Sequence, residues 1–277
     1  MSAPEAWQDL VIAVAPNGAR KTKADHPQLP MTPDELGRTA AACVEAGAAM
    51  IHLHVRDGDG GHTLDAEIYQ DAIDAVRRDA GGDIVVQVTT EAVGIYRAEE
   101  QMACVRDLRP EAVSLAVREI IPDDAAETAA AEFLDWLRRE AILPQYILYD
   151  DADVRRFEDL LARGVVPDHG YSVLFVLGRY AKGQVSQPAD VLPFLNAKSA
   201  AYPWAVCAFG ARETACVLTA AALGGHARVG FENNMALPDG TTAADNAALV
   251  GAVADGARAI GRPLADAAAA RRILAGE

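Results

Sequence analysis

The chain has 277 residues, of which 51 % are hydrophobic and 23 % charged, and its formal net charge is −15. This composition excludes a disordered chain, and the length suits one α/β barrel or two small domains. The acidic balance argues against nucleic-acid binding, which requires basic surface to displace counterions from phosphates.

Targeting and cysteine signals are absent from the sequence. The N-terminus has no basic stretch followed by an apolar run, and no apolar run of 18 residues occurs. We therefore expect no signal peptide, no membrane contact and a cytoplasmic protein. The four cysteines lie in apolar runs without a CxxC pair. This favours buried small side chains over a redox pair or a thiolate zinc site.

Eight short apolar runs recur along the chain and predict eight strands. They are Leu10–Ala15, Met50–Val55, Ile84–Thr89, Ala112–Val117, Tyr146–Tyr149, Val173–Leu177, Trp204–Phe209 and Ala227–Phe231. Their continuous apolar character is typical of strands in a parallel sheet that is covered on both faces.

Stretches with helical spacing separate these runs. In the clearest, Thr32–Gly47, Thr32 can cap the helix, Pro33 takes the first position and Glu35 completes a capping box. The other predicted helices are Asp65–Asp79, Arg97–Leu108, Ala125–Ala141, Ala152–Gly164, Ala189–Ala197, Arg212–Leu223 and Ala243–Ile260. Eight strand–helix units predict a single (β/α)8 barrel domain, a TIM barrel, over residues 1–277. A doubly wound open sheet is the alternative.

The second run ends in His52 and His54, two residues apart. On a strand both side chains point to the same face, which in a barrel is the lumen, at the end where catalytic groups lie. Two unpaired imidazoles there would be costly, and a shared divalent metal removes that cost. The alternative is a pair of core histidines that form hydrogen bonds with their neighbours.

A catalytic zinc site takes three protein ligands and leaves one position open. The last run continues into Glu232, and in a closed ring of eight strands the eighth lies next but one to the second. Glu232 therefore suits the third ligand, unless it is a solvated loop carboxylate. Gly18, Thr89 and Thr90 follow the first and third runs, where backbone amides and hydroxyls could bind an anionic group or serve ordinary turns.

These residues, in this order, resemble the β-keto acid cleavage enzymes. The matching segments include Asn17-Gly18-Ala19, Ile51-His-Leu-His-Val-Arg56, Gln87-Val-Thr-Thr90, Phe175-Val-Leu-Gly178 and Arg228-Val-Gly-Phe-Glu-Asn-Asn234. The resemblance spans nearly the whole chain. It implies a (β/α)8 barrel with Zn²⁺ on the two histidines and the glutamate. It also implies that a β-keto acid and acetyl-CoA become acetoacetate and a new acyl-CoA, and we expect a homo-oligomer, a dimer or tetramer.

The resemblance also implies site roles. Arg228 would stabilise developing negative charge or orient the carboxylate, and Thr89 and Thr90 would lie against substrate. The family's Glu-Asp-Asn triplet is Glu232-Asn233-Asn234 here. Asn233 takes the place of a catalytic aspartate, and we include it in the candidate catalytic set with Arg228 and Glu119, although an amide cannot accept a proton.

Further departures concern the substrate. Ile147 lies where the family has a glutamate, with Asp150 three positions on, and Arg20 replaces a glutamate that binds an amino group in one member. We therefore expect neutral or anionic β-keto acids to be preferred. Arg118 and Glu119 follow the fourth run; they read the variable part of the substrate, replace a lost acid or base, or form a local ion pair.

Two other functions stay open at this stage. The same barrel could carry a zinc-dependent hydrolase or retro-aldolase that needs no CoA. A metal binder without catalytic activity is the third possibility.

Overall fold

A computed structural model describes residues 7–277 of the chain. The N-terminal segment on which the signal-peptide expectation rests lies largely outside this range. Among the described residues, no helix is both long and apolar enough to span a membrane.

Eight parallel strands close into a barrel, which confirms the predicted (β/α)8 architecture and rules out the open sheet. The barrel strands are β1 (Ile12–Val14), β2 (Met50–Leu53), β5 (Val85–Thr89), β6 (Ala112–Ala116), β7 (Leu143–Leu148), β8 (Ser172–Leu177), β9 (Trp204–Ala208) and β10 (His226–Val229). The ring closes where β1 pairs with both β2 and β10. The eighth barrel strand is thus next but one to the second, as the placement of Glu232 requires.

A short hairpin, β3 (Val55–Arg56) and β4 (His62–Thr63), follows β2 above the barrel. The Asp57–Gly61 stretch forms its turn, in which the Asp57 carboxylate accepts from the backbone N–H groups of Asp59 and Gly61.

Ten α-helices are assigned within residues 7–277. They are α1 (Pro33–Ala46), α2 (Ala66–Ala80), α3 (Ala98–Leu108), α4 (Val117–Ile120), α5 (Glu127–Arg139), α6 (Asp151–Ala162), α7 (Leu192–Ala197), α8 (Glu213–Ala222), α9 (Asn246–Ala259) and α10 (Ala267–Leu274). The capping box of Thr32 and Glu35 is present at α1, where Gly47 ends the helix in the left-handed conformation.

Two helices depart from the sequence-based prediction. The fourth strand ends one residue early because Val117 begins α4. The sequence analysis did not identify α10. Its Ala270, Ile273 and Leu274 pack against Met50 and Val85 in a buried cluster. These contacts lie at the amino ends of β2 and β5, opposite the candidate site.

The main core lies between the sheet and the helices. Ile51, Leu53 and Val55 belong to it, so these side chains point away from the lumen, as the alternation predicted. His52 and His54 are 1 % exposed on the other face. All four cysteines are buried with free thiols, which confirms their interpretation as core side chains.

Candidate metal centre and substrate cavity

A cavity of about 170 Å³ lies at the carboxyl ends of the barrel strands, where (β/α)8 enzymes hold their catalytic groups. His52, His54 and Glu232 line it together with Thr89 and Arg228. Five residues singled out from the sequence therefore meet in one place.

The three candidate ligands converge on one point. The Nε2 atoms of His52 and His54 lie 3.2 Å apart. The Oε2 atom of Glu232 lies 3.6 Å from Nε2 of His52 and 3.2 Å from Nε2 of His54. These three atoms form a nearly equilateral triangle, with one acceptor at each corner.

A divalent ion fits this triangle. Four-coordinate zinc with bonds of about 2.0–2.1 Å separates its ligand atoms by roughly 3.3–3.4 Å, close to the three observed distances. Oε2 of Glu232 is buried and has no hydrogen-bond partner among residues 7–277. Two imidazole nitrogens that face each other beside a carboxylate are satisfied by a cation between them.

The protonation of His52 suits a ligand. Its Nδ1 lies 2.8 Å from Oε1 of Gln87, so Nδ1–H donates to the amide and the Nε2 lone pair faces the triangle. Burial and, to a lesser extent, the positive charge of the nearby Arg228 lower the pKa of His52 to about 3. A chain of amides orients Gln87, since its Nε2 donates to Gln145, which in turn donates to Ser172.

If the triangle holds zinc, replacing Gln87 with leucine should weaken zinc binding, because it removes the partner of His52 but no ligand atom. Loss of a partner that orients a metal-binding histidine typically costs roughly 10- to 100-fold in affinity. Competition with a chelator measures the dissociation constant. The matched control is Gln101→Leu, which alters another buried glutamine whose amide donates to Thr90 and Glu119 instead. Equal zinc affinities in wild type and Gln87→Leu would contradict this role.

Arg228 connects the ligand set to the cavity. Its NH2 donates to Oε1 of Glu232 at 2.9 Å and to Sγ of Cys207 at 3.4 Å. Burial opposes ionisation of Glu232, but Arg228 and His54 hold the pKa of its carboxyl well below the usual value. The ligand is therefore an anion. Nε of Arg228 has no hydrogen-bond partner within the described chain, which leaves a donor for a bound molecule.

Gly18 makes room for Glu232. Its φ is +65°, and a Cβ atom at this position would lie 2.6 Å from Cγ of Glu232. Any other residue would be strained and would displace the carboxylate, so the first barrel loop needs glycine here.

The two threonines differ in placement. Thr89 lines the cavity, and its hydroxyl oxygen accepts from the backbone N–H of Glu91 at 3.0 Å, which leaves the O–H free to donate. Thr90 turns away and donates to the carbonyl of Ser114 at 2.9 Å.

Arg118 and Glu119 lie outside the lining of the cavity. Arg118 donates to Asp153 at 2.8 Å and also to Asp150, so the local ion pair is the alternative that the geometry matches. Glu119 accepts from the backbone N–H of Ala92 at 3.0 Å and from the side chain of Gln101 at 2.8 Å. Burial raises the pKa of Glu119. Both side chains stabilise loops around the cavity, and neither reaches into it.

Asn233 is 4 % exposed and does not line the cavity. Neither polar atom of its side chain has a hydrogen-bond partner in the described part of the chain. Behind the same turn lies Glu213, which the sequence analysis did not identify. Its carboxylate accepts from the backbone N–H of Gly230 and from Nδ2 of Asn234, both at 3.2 Å.

Glu213 should make stability depend on pH. Its side chain is fully buried, and burial raises the pKa of its carboxyl to about 8. The folded protein then keeps a proton that the unfolded chain loses above its ordinary pKa of about 4.3. The contribution of Glu213 to the free energy of unfolding is therefore complete at low pH and is lost as the pH rises towards 8.

The matched variant is Glu213→Gln, which has no proton to lose. Between about pH 5 and about pH 8, its free energy of unfolding should fall less than that of the wild type. Urea titration at one fixed zinc concentration measures both free energies. Parallel pH curves for the two proteins would show that Glu213 does not titrate in this interval.

Lys21, Glu91 and Arg179 also line the cavity, and the sequence analysis did not identify them. Glu91 and Arg179 follow β5 and β8, so the rule that strand ends carry function would have pointed to them. Arg20, which it did identify, lines the cavity and pairs with Glu91 at 3.1 Å.

Comparison with solved structures concerns the fold. A complex of ObcA with oxaloacetate superposes with a TM-score of 0.68 at 17 % identity, over 90 % of this chain and 67 % of that chain. A 3-dehydroquinate dehydratase from Geobacillus kaustophilus gives a TM-score of 0.56 at 13 % identity, over 89 % of this chain and 91 % of that chain. Both likenesses agree with the barrel.

Sequence comparison is more specific. The 3-keto-5-aminohexanoate cleavage enzyme of Acetoanaerobium sticklandii is 31 % identical over 276 residues, 96 % of this chain and 98 % of that protein. The 3-oxoadipate:acetyl-CoA acetyltransferase of Cupriavidus necator is 30 % identical over 275 residues, 96 % of this chain and 95 % of that protein. The family described as beta-keto acid cleavage enzyme matches residues 9–275, and the chain belongs to this family.

Proposed function

We propose that this chain is a zinc-dependent β-keto acid cleavage enzyme. It condenses a β-keto acid with acetyl-CoA to give acetoacetate and a new acyl-CoA. The observation that carries the proposal is the triangle of His52, His54 and Glu232, with sides of 3.2–3.6 Å, at the cavity of a member of this family.

Zinc suits the ligand set better than magnesium or calcium does. Two imidazole nitrogens and one carboxylate oxygen make a set typical of catalytic zinc, whereas magnesium and calcium prefer oxygen ligands alone. A zinc ion held by His52, His54 and Glu232 would supply Lewis acidity towards the keto group of a substrate.

The side chains around the ion have separate tasks. Arg228 holds Glu232 with one nitrogen and presents its unpaired Nε as a donor, so it can stabilise negative charge that develops on the substrate. Thr89 offers a free hydroxyl to the bound acid. Asn233 and Glu119, placed in the catalytic set from the sequence, lie outside the cavity lining, and the proposal gives neither a direct contact with substrate.

The reaction balances without an oxidant or a reductant. Carbon 2 of the keto acid forms a bond to the acetyl carbonyl carbon, whose bond to the CoA sulfur breaks. The bond between carbons 2 and 3 of the keto acid breaks as well. The acyl group that is left passes to the CoA sulfur. When a nucleophile attacks a carbonyl carbon, negative charge develops on the carbonyl oxygen. Positive groups around the triangle would stabilise this charge.

A screen of β-keto acids with acetyl-CoA, in which acetoacetate is measured, tests the proposal. Acetoacetate should form with at least one keto acid and only when acetyl-CoA is present. Turnover without acetyl-CoA would instead indicate a hydrolase or retro-aldolase on the same barrel.

A further inference from the structure

Three loops meet at one carboxylate at the wall of the cavity. Oε1 of Glu91, after β5, accepts from NH1 of Arg20 at 3.1 Å and from NH2 of Arg179 at 3.2 Å. Arg20 lies between β1 and α1, and Arg179 follows β8. We call Arg20, Glu91 and Arg179 the arginine bridge.

The arginine bridge has spare hydrogen-bond donors. A guanidinium carries five N–H groups, and each arginine here uses one nitrogen for Glu91. The Arg179 guanidinium lies 5.3 Å from the ring centroid of Phe209, a contact that holds its plane beside the cavity. The side chain of Arg179 is 22 % exposed, whereas that of Arg20 is 55 % exposed.

The charges of the cavity favour an anionic occupant. Its lining contains the cations Arg20, Lys21, Arg179 and Arg228 and the carboxylates Glu91 and Glu232. The ammonium of Lys21 donates to the backbone carbonyls of Phe231 and Glu232, and Arg228 donates to the Glu232 side chain. The positive groups that can still bind a second charged group of a substrate are therefore the guanidinium groups of the arginine bridge.

The arginine bridge is close to the metal triangle. Oε2 of Glu91 lies 4.0 Å from Nδ1 of His54, whose Nε2 belongs to the triangle. One side chain thus separates the two guanidinium groups from a metal ligand. A keto acid whose reacting end lies at the triangle would place its distal end, a few atoms away, against the arginine bridge.

An ammonium group would be a poor occupant of this place. The carboxylate of Glu91, which an ammonium would need as its partner, already accepts from two guanidinium groups at 3.1 and 3.2 Å. A third cation there would face two like charges at short range, which costs free energy. A carboxylate instead meets unused donors on two arginines and can be held bidentately.

From this we infer the substrate class, an inference that rests on the proposed function: the chain acts on β-keto dicarboxylic acids, and Arg179, assisted by Arg20, binds the distal carboxylate. The CoA product is then a thioester of a dicarboxylic acid. Because Arg179 is the less exposed of the two, its charge is less screened, and it should contribute more to the preference.

The test compares 3-oxoadipate with 3-oxohexanoate, which has the same chain length but an uncharged distal end, and with 3-oxo-5-aminohexanoate. For the zinc-loaded enzyme, kcat/KM should be at least about tenfold higher for the diacid, equivalent to about 1.4 kcal/mol. Arg179→Met should remove most of this preference, and Arg20→Met should remove a smaller part. The control is Arg97→Met, because Arg97 is 80 % exposed and lies outside the cavity lining. This variant should keep the preference for 3-oxoadipate.

Equal kcat/KM for 3-oxoadipate and 3-oxohexanoate would overturn the inference. Faster turnover of 3-oxo-5-aminohexanoate than of 3-oxoadipate would overturn it too. A preference that survives in both arginine variants would overturn it as well. A second readout separates this inference from the proposed function. Calorimetry with adipate and hexanoate, without acetyl-CoA, should show adipate binding that weakens at least tenfold in Arg179→Met. If no keto acid turns over, the proposed function is wrong. Equal adipate binding by wild type and Arg179→Met would show that the inference is wrong as well.

Discussion

The protein with His54 replaced by alanine should be purified without its zinc. The wild type should contain about one zinc per chain, held by His52, His54 and Glu232. Loss of a ligand should weaken metal affinity more than the roughly 10- to 100-fold typical of a partner that only orients a ligand. Two ligand atoms 3.6 Å apart would remain, too few for a site with three protein ligands. Elemental analysis of the purified protein measures the zinc content.

The matched control is His26→Ala. His26 is also buried, at 5 % exposure, but its Nε2 lies 3.0 Å from the carbonyl of Ala243, away from the triangle. This variant should keep a full complement of zinc, whereas His52→Ala and Glu232→Ala should lose it. A full zinc complement in His54→Ala would show that the metal site lies elsewhere.

Replacing Arg228 with methionine should lower kcat by something like 10²-fold or more. A group that stabilises charge only as it develops acts on the transition state, so kcat and kcat/KM fall together. Methionine fills most of the buried space that the arginine stem occupies, so the thermal midpoint should stay close to the wild-type value. Glu232 stays anionic once zinc is bound, and the zinc content at saturating zinc should not change.

Arg228→Lys sharpens this test. Lysine keeps the positive charge but lacks the planar group with several donors, so it cannot bind Glu232 and a substrate oxygen in the same geometry. We expect an activity between those of wild type and Arg228→Met. An unchanged kcat with a raised KM in Arg228→Met would make Arg228 a residue that binds the ground state.

The barrel and the metal triangle could be predicted because their signals are local. Eight apolar runs with helical stretches between them fix the order of strands, and His52 and His54 share a face by the geometry of any strand. Glu232 needed one further step, the closure of the ring, which brings the eighth strand next but one to the second. Each of these inferences uses only strand spacing and strand order.

The rest of the site depends on contacts between loops, which strand order does not determine. Arg118 follows a strand end, yet two carboxylates at the start of α6, Asp150 and Asp153, accept from its guanidinium. Arg179 also follows a strand end and does reach the cavity. No local sequence pattern distinguishes these two arginines. The difference is which carboxylate lies nearest in three dimensions, and this requires the structure.

The proposed reaction is tested most directly by the position of the acetyl carbons in the products. The zinc-loaded enzyme is incubated with a β-keto acid that it turns over and with acetyl-CoA carrying ¹³C at both acetyl carbons, and the products are read by mass spectrometry and NMR. The proposed reaction gives acetoacetate labelled at its keto and methyl carbons, together with an unlabelled acyl-CoA. Unlabelled products, or cleavage of the keto acid in the absence of acetyl-CoA, would contradict it.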